Sequence, residues 1–383
     1  MLILNRRVFL SSLSAVALAA CAGNAQTQRP VARTTSDVPS DLRPVPNAGF
    51  SAWVDQFRPK ALGQGISAST FDAAFADAGL IPGVIKRDRN QIQTRRSLED
   101  YLSIVVSDER IAKGKVMSRR HAATLSAIEA RYDVEAKIIA AIWGAESQYG
   151  EKRGFIPVIS STATLAHDGR RGAFYESQLI AALKILERGD TTPDQLTGSW
   201  AGAMGHTQFI PTSFEGFAVD FTGDGRRDIW SEDPTDSLAS TAAYLQRNGW
   251  RKGLPWGAEV GPNAPAGRTI QPQSGGVSFS VTRNFNVIKT YNNSDFYAIG
   301  IGLLADRIAG AGPLRGSFPP DENGLTKIDR IALQRGLTNQ GFDIGTIDGV
   351  IGSKTEAAIS AYQARRGVPV TGTPSRALLD LLR

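Results

Sequence analysis

Hydrophobic residues recur with the period of a helix in the segment 133–150. The apolar positions are Ile138, Ile139, Ile142 and Trp143. Residues three and four positions apart share one face of an α-helix, so these side chains form one apolar stripe. Asp133 is a predicted N-cap of this helix, and Gly150 is a predicted C-terminal stop. The pattern predicts a helix that packs its apolar stripe into a protein core.

Glu146 brings a carboxyl group onto that apolar stripe, because it follows Ile142 by four positions and Trp143 by three. An unperturbed glutamate has a pKa of about 4.3, so only roughly one molecule in 500 is protonated at pH 7. Burial would raise the pKa by about two units and make Glu146 a usable general acid. The alternative from spacing alone is a glutamate that pairs with a buried arginine or caps a neighbouring helix.

The remaining pattern is mostly helical from Phe50 to about Leu304. Between Gly253 and Tyr291 the helical period fails, and residues 277–291 alternate and are rich in Val, Phe and Ile, so we predict strands there. The fold class predicted from the pattern is mainly α (α+β), with a small β insertion.

The first twenty residues are typical of a secretion signal. Arg6 and Arg7 precede an apolar stretch that ends at Ala20, and this stretch is too short to span a bilayer permanently. Residues 18–20 before Cys21 resemble a bacterial lipobox, in which the cysteine is lipidated after cleavage. The alternative is a cysteine that follows an ordinary signal. Cys21 is the single cysteine in the sequence, so it forms no internal disulfide.

The export route and the destination follow from the same segment. NRRVFL resembles a twin-arginine signal with Asn5 in place of Ser or Thr, and the choice between the twin-arginine and Sec routes stays open. Ala22 after the cysteine favours an outer-membrane lipoprotein that faces the periplasm of a Gram-negative bacterium.

Composition shifts divide the rest of the chain. We predict a signal peptide at 1–20, a flexible tether at 21–48, a catalytic domain at 49–309, a linker at 310–324 and a second domain at 325–383. Lys and Arg outnumber Asp and Glu by 43 to 37 without a run of like charge, so we expect no nucleic-acid partner. We expect a monomer.

Three sequence blocks carry a family resemblance. They are IWGAESQYG (142–150), SWAGAMGHTQFIPTS (199–213) and NFNVIKTYNNSDFYA (284–298). In this order and spacing they resemble the lytic murein transglycosylase B family over roughly residues 50–310. The resemblance implies a lysozyme-like catalytic domain that cleaves the β-1,4 bond between N-acetylmuramic acid and N-acetylglucosamine in peptidoglycan, the glycan partner that we expect.

The resemblance makes Glu146 the single catalytic acid and base. Most glycosidases need two carboxyl groups. If the muramic acid C6 hydroxyl attacks C1, the nucleophile arrives with the substrate at an effective molarity of about 10⁵ M or more. The product is then a 1,6-anhydromuramoyl end. The reaction consumes no water and requires no cofactor.

The position of residues within the blocks implies further roles. Ser199 and Gln208 are expected near Glu146, bonded to it or to the sugar. Tyr291 and Asn292 are expected to steady the charge at C1 and the N-acetyl group. Tyr149 is expected to line the cleft. For Ser199, Gln208 and Asn292, the competing interpretation is a polar group that is satisfied within a helix or turn. Met204 and Phe209 are expected in the core.

Residues 219–236 begin like an EF-hand calcium loop. Asp220, Thr222 and Asp224 occupy positions one, three and five, and Arg226 offers a backbone carbonyl at position seven. Position twelve is Ser231 instead of Glu, and the family resemblance offers Asp236 as the closing carboxylate. We expect structural calcium here. The alternative is a solvated acidic turn.

The tail resembles a peptidoglycan-binding module. Its matching residues are Asp348, Gly349, Gly352, Thr355, Ala358, Ile359, Tyr362 and Gln363. We predict a three-helix domain, and most of the motif is expected to form core and loop geometry. The core is expected to be completed by Ile328, Ile331, Leu337, Leu378 and Leu381.

Two other functions compete with the transglycosylase. One is a lysozyme-type muramidase in which Asp168 or Glu176 supplies a second carboxylate and water attacks. The other is a wall-binding scaffold without turnover. The scattered histidines 121, 167 and 206 form no zinc motif, and His206 is expected to be a cleft-wall residue and not a base.

Overall fold

The computed structural model describes residues 38–90 and 97–383. The predicted signal peptide, Cys21 and the predicted tether up to residue 37 lie outside the described residues. In the described part, no helix combines the length and the apolarity needed to cross a membrane.

In the part of the chain that the structure describes, six helices pack around or beside one hydrophobic core. They are α1 (Ala48–Gly63), α2 (Ala68–Phe75), α3 (Pro82–Arg89), α8 (Val158–Asp168), α9 (Gly172–Glu187) and α10 (Pro211–Phe217). Phe57, Leu183 and Phe214 are buried in this core. Met204 and Phe209 also belong to it, as predicted.

Seven further helices build a second core. They are α4 (Leu98–Val105), α5 (Asp108–Arg120), α6 (Ala122–Tyr132), α7 (Ala136–Ser147), α11 (Thr235–Arg247), α12 (Arg283–Tyr291) and α13 (Asp295–Ile308). The predicted apolar stripe of α7 is buried throughout this core. Tyr291 packs against both cores, so the third sequence block lies where they meet.

Both predicted ends of helix α7 are wrong in detail. Asp133 does not cap it, because Asp133 takes a left-handed conformation (φ 54°) at the C-terminus of α6. The α7 backbone instead donates from Ala136 N to the side chain of Glu129. At the other end the helix stops at Ser147, before the predicted stop at Gly150, and Gln148 is the left-handed C-cap.

The β structure is small and antiparallel. Strand β1 (Ile156–Pro157) pairs with β2 (Thr197–Gly198), and a three-stranded sheet has the order β3 (Gly257–Glu259), β5 (Phe279–Val281), β4 (Arg268–Ile270). In its register Val281 faces both Gly257 and Arg268. The predicted insertion is therefore present.

The predicted strand does not continue to residue 291. The strand ends at Val281, and Thr282 accepts a hydrogen bond from Asn284 N as the N-cap of helix α12. This helix buries Phe285 and Ile288 on one side. The cap, which the alternating pattern does not reveal, changes the period from two to 3.6.

The tail has the three predicted helices, α14 (Lys327–Asn339), α15 (Ser353–Arg366) and α16 (Arg376–Leu382). The prediction that Ile328 and Leu381 lie in the core of the tail is wrong, because Ile328 is 79% exposed and Leu381 is 45% exposed. Helix α14 buries Arg330, Leu333 and Leu337 at helical spacing, and Ile328 lies two positions off that face. Ile331 is half-buried at the edge of the module. The buried tail residues of α15 are those predicted: Thr355, Ala358, Ile359, Tyr362 and Gln363.

Candidate active site

Glu146 lies in the last turn of α7, just before a strained backbone turn. Three consecutive residues have positive φ: Gln148 at 52°, Tyr149 at 61° and Gly150 at 89°. The turn folds the Tyr149 ring back onto Gly144, where a Cβ atom would stand 2.4 Å from the ring. Residue 144 must therefore be glycine for the chain to reverse directly after Glu146.

One hydroxyl group binds the Glu146 carboxyl group. Tyr297, buried in α13, donates to Glu146 Oε1 at 2.7 Å. Glu146 is half-buried, and desolvation by the surrounding protein raises its pKa to about 7, although the Tyr297 hydrogen bond acts in the opposite direction. Both the acid and its carboxylate are therefore populated near neutral pH.

Two more tyrosines respond to the charge of Glu146. Burial, followed by the negative charge of Glu146, raises the pKa of Tyr101 to about 12 and that of Tyr291 still further. The rings of Tyr291 and Tyr297 stack with centroids 6.4 Å apart and planes within 7°. These three phenols stay neutral over the physiological range and can act as hydrogen-bond donors.

Tyr291 joins the third block to the second. Its hydroxyl donates to the carbonyl oxygen of Thr207 at 2.7 Å. Because Tyr291 is the last residue of α12 and Thr207 lies in the loop before α10, this bond holds two distant segments beside Glu146.

The structure gives Ser199 and Gln208 partners within the loop. Ser199 Oγ accepts from Ala203 N at 3.1 Å. Gln208, at φ 56°, donates through Nε2 to the carbonyl oxygens of Arg153 and Gly205. Neither side chain is hydrogen-bonded to Glu146 in the described structure. No donor among the described residues binds Gln208 Oε1, which leaves this oxygen available to a ligand.

Tyr149 and Asn292 have different surroundings. Tyr149 is buried, and its hydroxyl donates to the Arg110 carbonyl oxygen at 3.0 Å, so this group supports α5. Its ring borders a cavity of about 630 Å³ together with Trp143 and His206. Asn292 is exposed at the C-terminus of α12, and its backbone carbonyl accepts from Ser294 N.

His206 is a buried, neutral structural group. Its Nδ1 accepts from Trp143 Nε1 at 3.1 Å, and its Nε2 lies 2.8 Å from the Ser231 carbonyl oxygen. Burial lowers the pKa of His206 to about 4. With both nitrogens engaged, it fixes Trp143 against the second block and has no lone pair free to act as a base.

The acidic loop at 219–236 is organised mainly by backbone N–H groups. Asp236 is 2% exposed and accepts from Phe221 N, Thr222 N and Asp228 N at 2.9–3.0 Å. Asp220 Oδ1 lies 3.2 Å from Thr222 Oγ1 and also accepts from Gly223 N. Within the described residues, no group of three or more acidic, histidine or cysteine side chains converges as a metal site.

The two carboxylates considered for a water-dependent mechanism are engaged elsewhere. Asp168 pairs with Arg89, and Glu176 pairs with Lys60. Asp168 ends α8 and Glu176 lies on α9, two helices that contribute to the other hydrophobic core. Neither contributes to the pKa shift of Glu146.

Tyr297 and Tyr101 were missed as site residues by sequence reasoning. Tyr297 is the penultimate residue of the third block, six positions after Tyr291, and this spacing could have identified it. Tyr101 lies outside all three blocks on α4, and the sequence offers no signal for its proximity to Glu146.

Comparison with known proteins places this geometry in a family context. Residues 49–274 and 261–306 match the transglycosylase SLT domain, and residues 326–382 match a peptidoglycan binding domain. The membrane-bound lytic murein transglycosylase B of Escherichia coli K12 is 30% identical over 242 residues, which cover 55% of this chain and 66% of that relative's length.

Solved structures show the same architecture. SltB3 of Pseudomonas aeruginosa in complex with NAG-anhNAM-pentapeptide is 43% identical and has a TM-score of 0.69, with 88% of this chain and all of that chain covered. SltB1 of the same organism is 29% identical (TM-score 0.59, 68% and 98% covered). Slt35 of E. coli in complex with calcium is 25% identical (TM-score 0.58, 69% and 93% covered).

Proposed function

Because the chain belongs to the transglycosylase SLT domain family, we propose that it is a peptidoglycan lytic transglycosylase. It cleaves the β-1,4 bond between N-acetylmuramic acid and N-acetylglucosamine and leaves a 1,6-anhydromuramoyl end. The family match confirms the resemblance predicted from the three blocks. The observation that carries the proposed chemistry is the position of Glu146 at the end of α7, where a phenol hydroxyl binds its carboxyl group and desolvation raises its pKa to about 7.

In the first step Glu146 acts as the acid. Because Tyr297 donates to Oε1, the proton of the neutral carboxyl group resides on Oε2 and passes to the glycosidic oxygen as the bond to C1 breaks. The Tyr297 bond strengthens as negative charge develops on the carboxylate.

In the second step the Glu146 carboxylate acts as the base. It accepts the proton of the muramic acid C6 hydroxyl while O6 attacks C1, so the carboxyl group returns to its starting state. One proton leaves and one returns, and water is not a reactant. A pKa close to 7 suits a residue that must serve in both directions.

Four polar groups are proposed to hold the sugar. Gln208 Oε1 and the exposed amide of Asn292 are available for hydrogen bonds, and Ser199 lies in the same loop as Gln208. Tyr291, stacked on Tyr297, is proposed to steady positive charge at C1. We assign Tyr149 a supporting role through its contacts with Gly144 and Arg110.

The domain division is proposed as 49–309 for catalysis, 310–324 for the linker and 325–383 for wall binding. SltB3 was solved with NAG-NAM-pentapeptide as well as with its anhydro form. This supports a glycan strand with attached stem peptides as the substrate of the present chain. A tethered binding module raises the local substrate concentration.

A structural calcium ion is proposed in the loop 220–236. Asp220 and Thr222 occupy ligand positions of a cation loop, and their side-chain oxygens are hydrogen-bonded to each other at 3.2 Å. Both oxygens of Asp220 and both of Asp236 accept backbone N–H groups, so a bound calcium ion would replace some of these donors. Isothermal titration of chelator-treated protein with CaCl₂ tests this. If the heat of calcium binding persists in Asp224→Ala, this loop is excluded as the calcium site.

The chain is proposed to act in the bacterial envelope, with Cys21 lipidated at the outer membrane. This rests on the N-terminal sequence. Metabolic labelling with a fatty acid should label the full chain but not Cys21→Ser, and equal labelling of the two would contradict it.

Product analysis tests the reaction itself. Sacculi digested with the wild type should yield muropeptides one water lighter than those of a muramidase, and Glu146→Gln should yield neither. Reducing ends in place of anhydro ends would favour the hydrolase, and products of neither kind with intact sacculus binding would favour the scaffold.

A further inference from the structure

The tail and the catalytic module meet at one buried guanidinium group. Arg330 of α14 has a side chain that is 4% exposed. Its Nη2 donates to Glu99 at 2.8 Å and to Asp100 at 3.0 Å, both in the first turn of α4. Its Nη1 donates to Asp321 in the linker, and its Nε donates to the Gly349 carbonyl oxygen.

This arrangement joins three segments through a single side chain. All directions of the guanidinium are used, and a carboxylate lost from such a pair would leave a buried charge without a partner. We call Arg330, Glu99, Asp100 and Asp321 the inter-module clamp. The clamp fixes where the wall-binding module sits relative to α4.

Open clefts lie beside the clamp. One, of about 610 Å³, has one wall from α4, α5 and α13 and the other wall from the tail. The tail contributes Lys327, Ile331, Thr346, Ile347 and Asp348. A volume of this size suits a ligand of several residues or a small molecule.

The chemistry of this cleft is that of a peptide site. Lys327 is half-buried and no carboxylate in the described residues pairs with it. Arg307 adds a second cation, which is paired with Asp108, and Asp348 adds a carboxylate. The apolar lining is mostly aliphatic, and Ile347 remains 38% exposed. Lys327 and Asp348 have no ionic partner among the described residues, and with the aliphatic floor they match a short peptide with a carboxylate, an amine and methyl side chains.

We propose that the cleft between the two modules binds the stem peptide of peptidoglycan, with Lys327 recognising a peptide carboxylate. The inference rests on the proposed function for the substrate class but not on turnover. The clamp makes the site composite: neither module alone supplies both walls. A strand whose peptide occupies this cleft would be held beside α4, the helix that carries Tyr101 toward Glu146.

Binding of the sugar-free stem pentapeptide to full-length Glu146→Gln protein tests the proposal by isothermal titration. Lys327→Ala should weaken the binding roughly fivefold or more, as expected for loss of a charged hydrogen bond. Lys354→Ala is the matched control, because Lys354 is an exposed lysine of the same module paired with Asp343. Equal affinity in Lys327→Ala and the control, or no binding at all, would overturn the proposal.

Opening the clamp provides a second readout. The double variant Glu99→Gln, Asp100→Asn leaves the contacts of Arg330 within the tail intact. It should increase the radius of gyration in small-angle scattering and weaken pentapeptide binding by a similar factor while Lys327 is unchanged. An expanded protein with full affinity would exclude a composite site. Because every arm uses an inactive protein, failure of the proposed reaction leaves these outcomes unaffected.

Discussion

Two of the carboxyl groups that the catalytic module shields from water, Glu146 and Asp236, have different hydrogen-bond donors. Glu146 at the end of α7 receives one hydrogen bond, from a phenol. Asp236 at the start of α11 receives three, all from backbone N–H groups. Burial raises the pKa of both, but for Asp236 the three donors act against that rise.

The contrast shows how a fold separates a reactive group from a structural one. Backbone N–H donors favour the ionised form, so they oppose the rise in the pKa of Asp236 while its oxygens tie residues 221–228 to α11. A phenol hydroxyl can hydrogen-bond to a neutral carboxyl group and to a carboxylate. Glu146 can therefore lose and regain a proton without losing its position. The number and type of hydrogen-bond donors therefore distinguish the roles of the two carboxyl groups better than their depth of burial does.

The largest effect is expected for catalysis at Glu146. Glu146→Gln should reduce muropeptide release by at least about 10³-fold, because the same group serves as acid and base. Rates are measured by chromatography of products from purified sacculi. Glu176→Gln, at the alternative carboxylate paired with Lys60, should stay near the wild-type rate. A comparable loss in Glu176→Gln would revive a two-carboxylate mechanism.

The second largest effect is expected for stability at Asp236. Asp236→Ala leaves three backbone N–H groups without their acceptor and should cost roughly 2–4 kcal/mol in the free energy of unfolding. Denaturant titration in chelator measures it without any metal contribution. Asp194→Ala removes an exposed carboxylate with one local bond and should change stability by less than about 0.5 kcal/mol. Equal stability of the two variants would show that the acceptor is replaceable.

Glu146 should also make stability depend on pH. Below the unfolded-state pKa of about 4.5 the group is protonated in both states and no cost arises. As the pH rises from about 4.5 to about 7, the unfolded chain ionises while the folded group keeps its proton, so the stability falls and levels off above the folded pKa. Glu146→Gln should therefore gain about 2 kcal/mol over the wild type between pH 4 and pH 8, a value reduced for partial exposure. If the difference in free energy of unfolding between Glu146→Gln and the wild type stays constant from pH 4 to pH 8, the raised pKa is contradicted. Glu356→Gln, at an exposed position, serves as the control.

The smallest effect is expected for Tyr297→Phe. The Tyr297 bond lowers the pKa of Glu146, so its loss should move the alkaline limb of the rate profile to higher pH. The maximal rate should fall roughly tenfold, since the carboxylate loses its donor. Tyr244→Phe, whose hydroxyl binds the Thr290 carbonyl oxygen, should leave the limb in place. A limb that shifts equally in both variants would point to packing and not to the hydrogen bond.

Local pattern was enough for the helix of Glu146 and for most of the tail. The period of Ile138, Ile142 and Trp143 required a buried face, and Glu146 had to follow it because side chains three and four apart share a face. The tail motif placed Tyr362 in the core for the same reason. Short-range geometry is encoded in neighbouring residues, and one sequence therefore suffices to predict it.

Errors arose where hydrogen bonds override the hydrophobic period. Asp133 ends one helix instead of starting the next, and Thr282 begins a helix where alternation predicted a strand. Ile328 is apolar but off the buried face of α14, since Arg330 occupies that face to reach α4. The caps at Asp133 and Thr282 are local hydrogen bonds that the hydrophobic period does not record, whereas the partners of Arg330 lie on another element.

By itself the sequence determined the carboxyl group on an apolar stripe, the three blocks and the wall-binding motif. The tertiary structure alone decided that Tyr297 and Tyr101 surround this carboxyl group, that Asp236 is saturated with N–H donors, and that Arg330 connects the modules. The physical reason is that a pKa and a composite cleft depend on groups brought together from up to about 230 residues away, and no local period records such contacts.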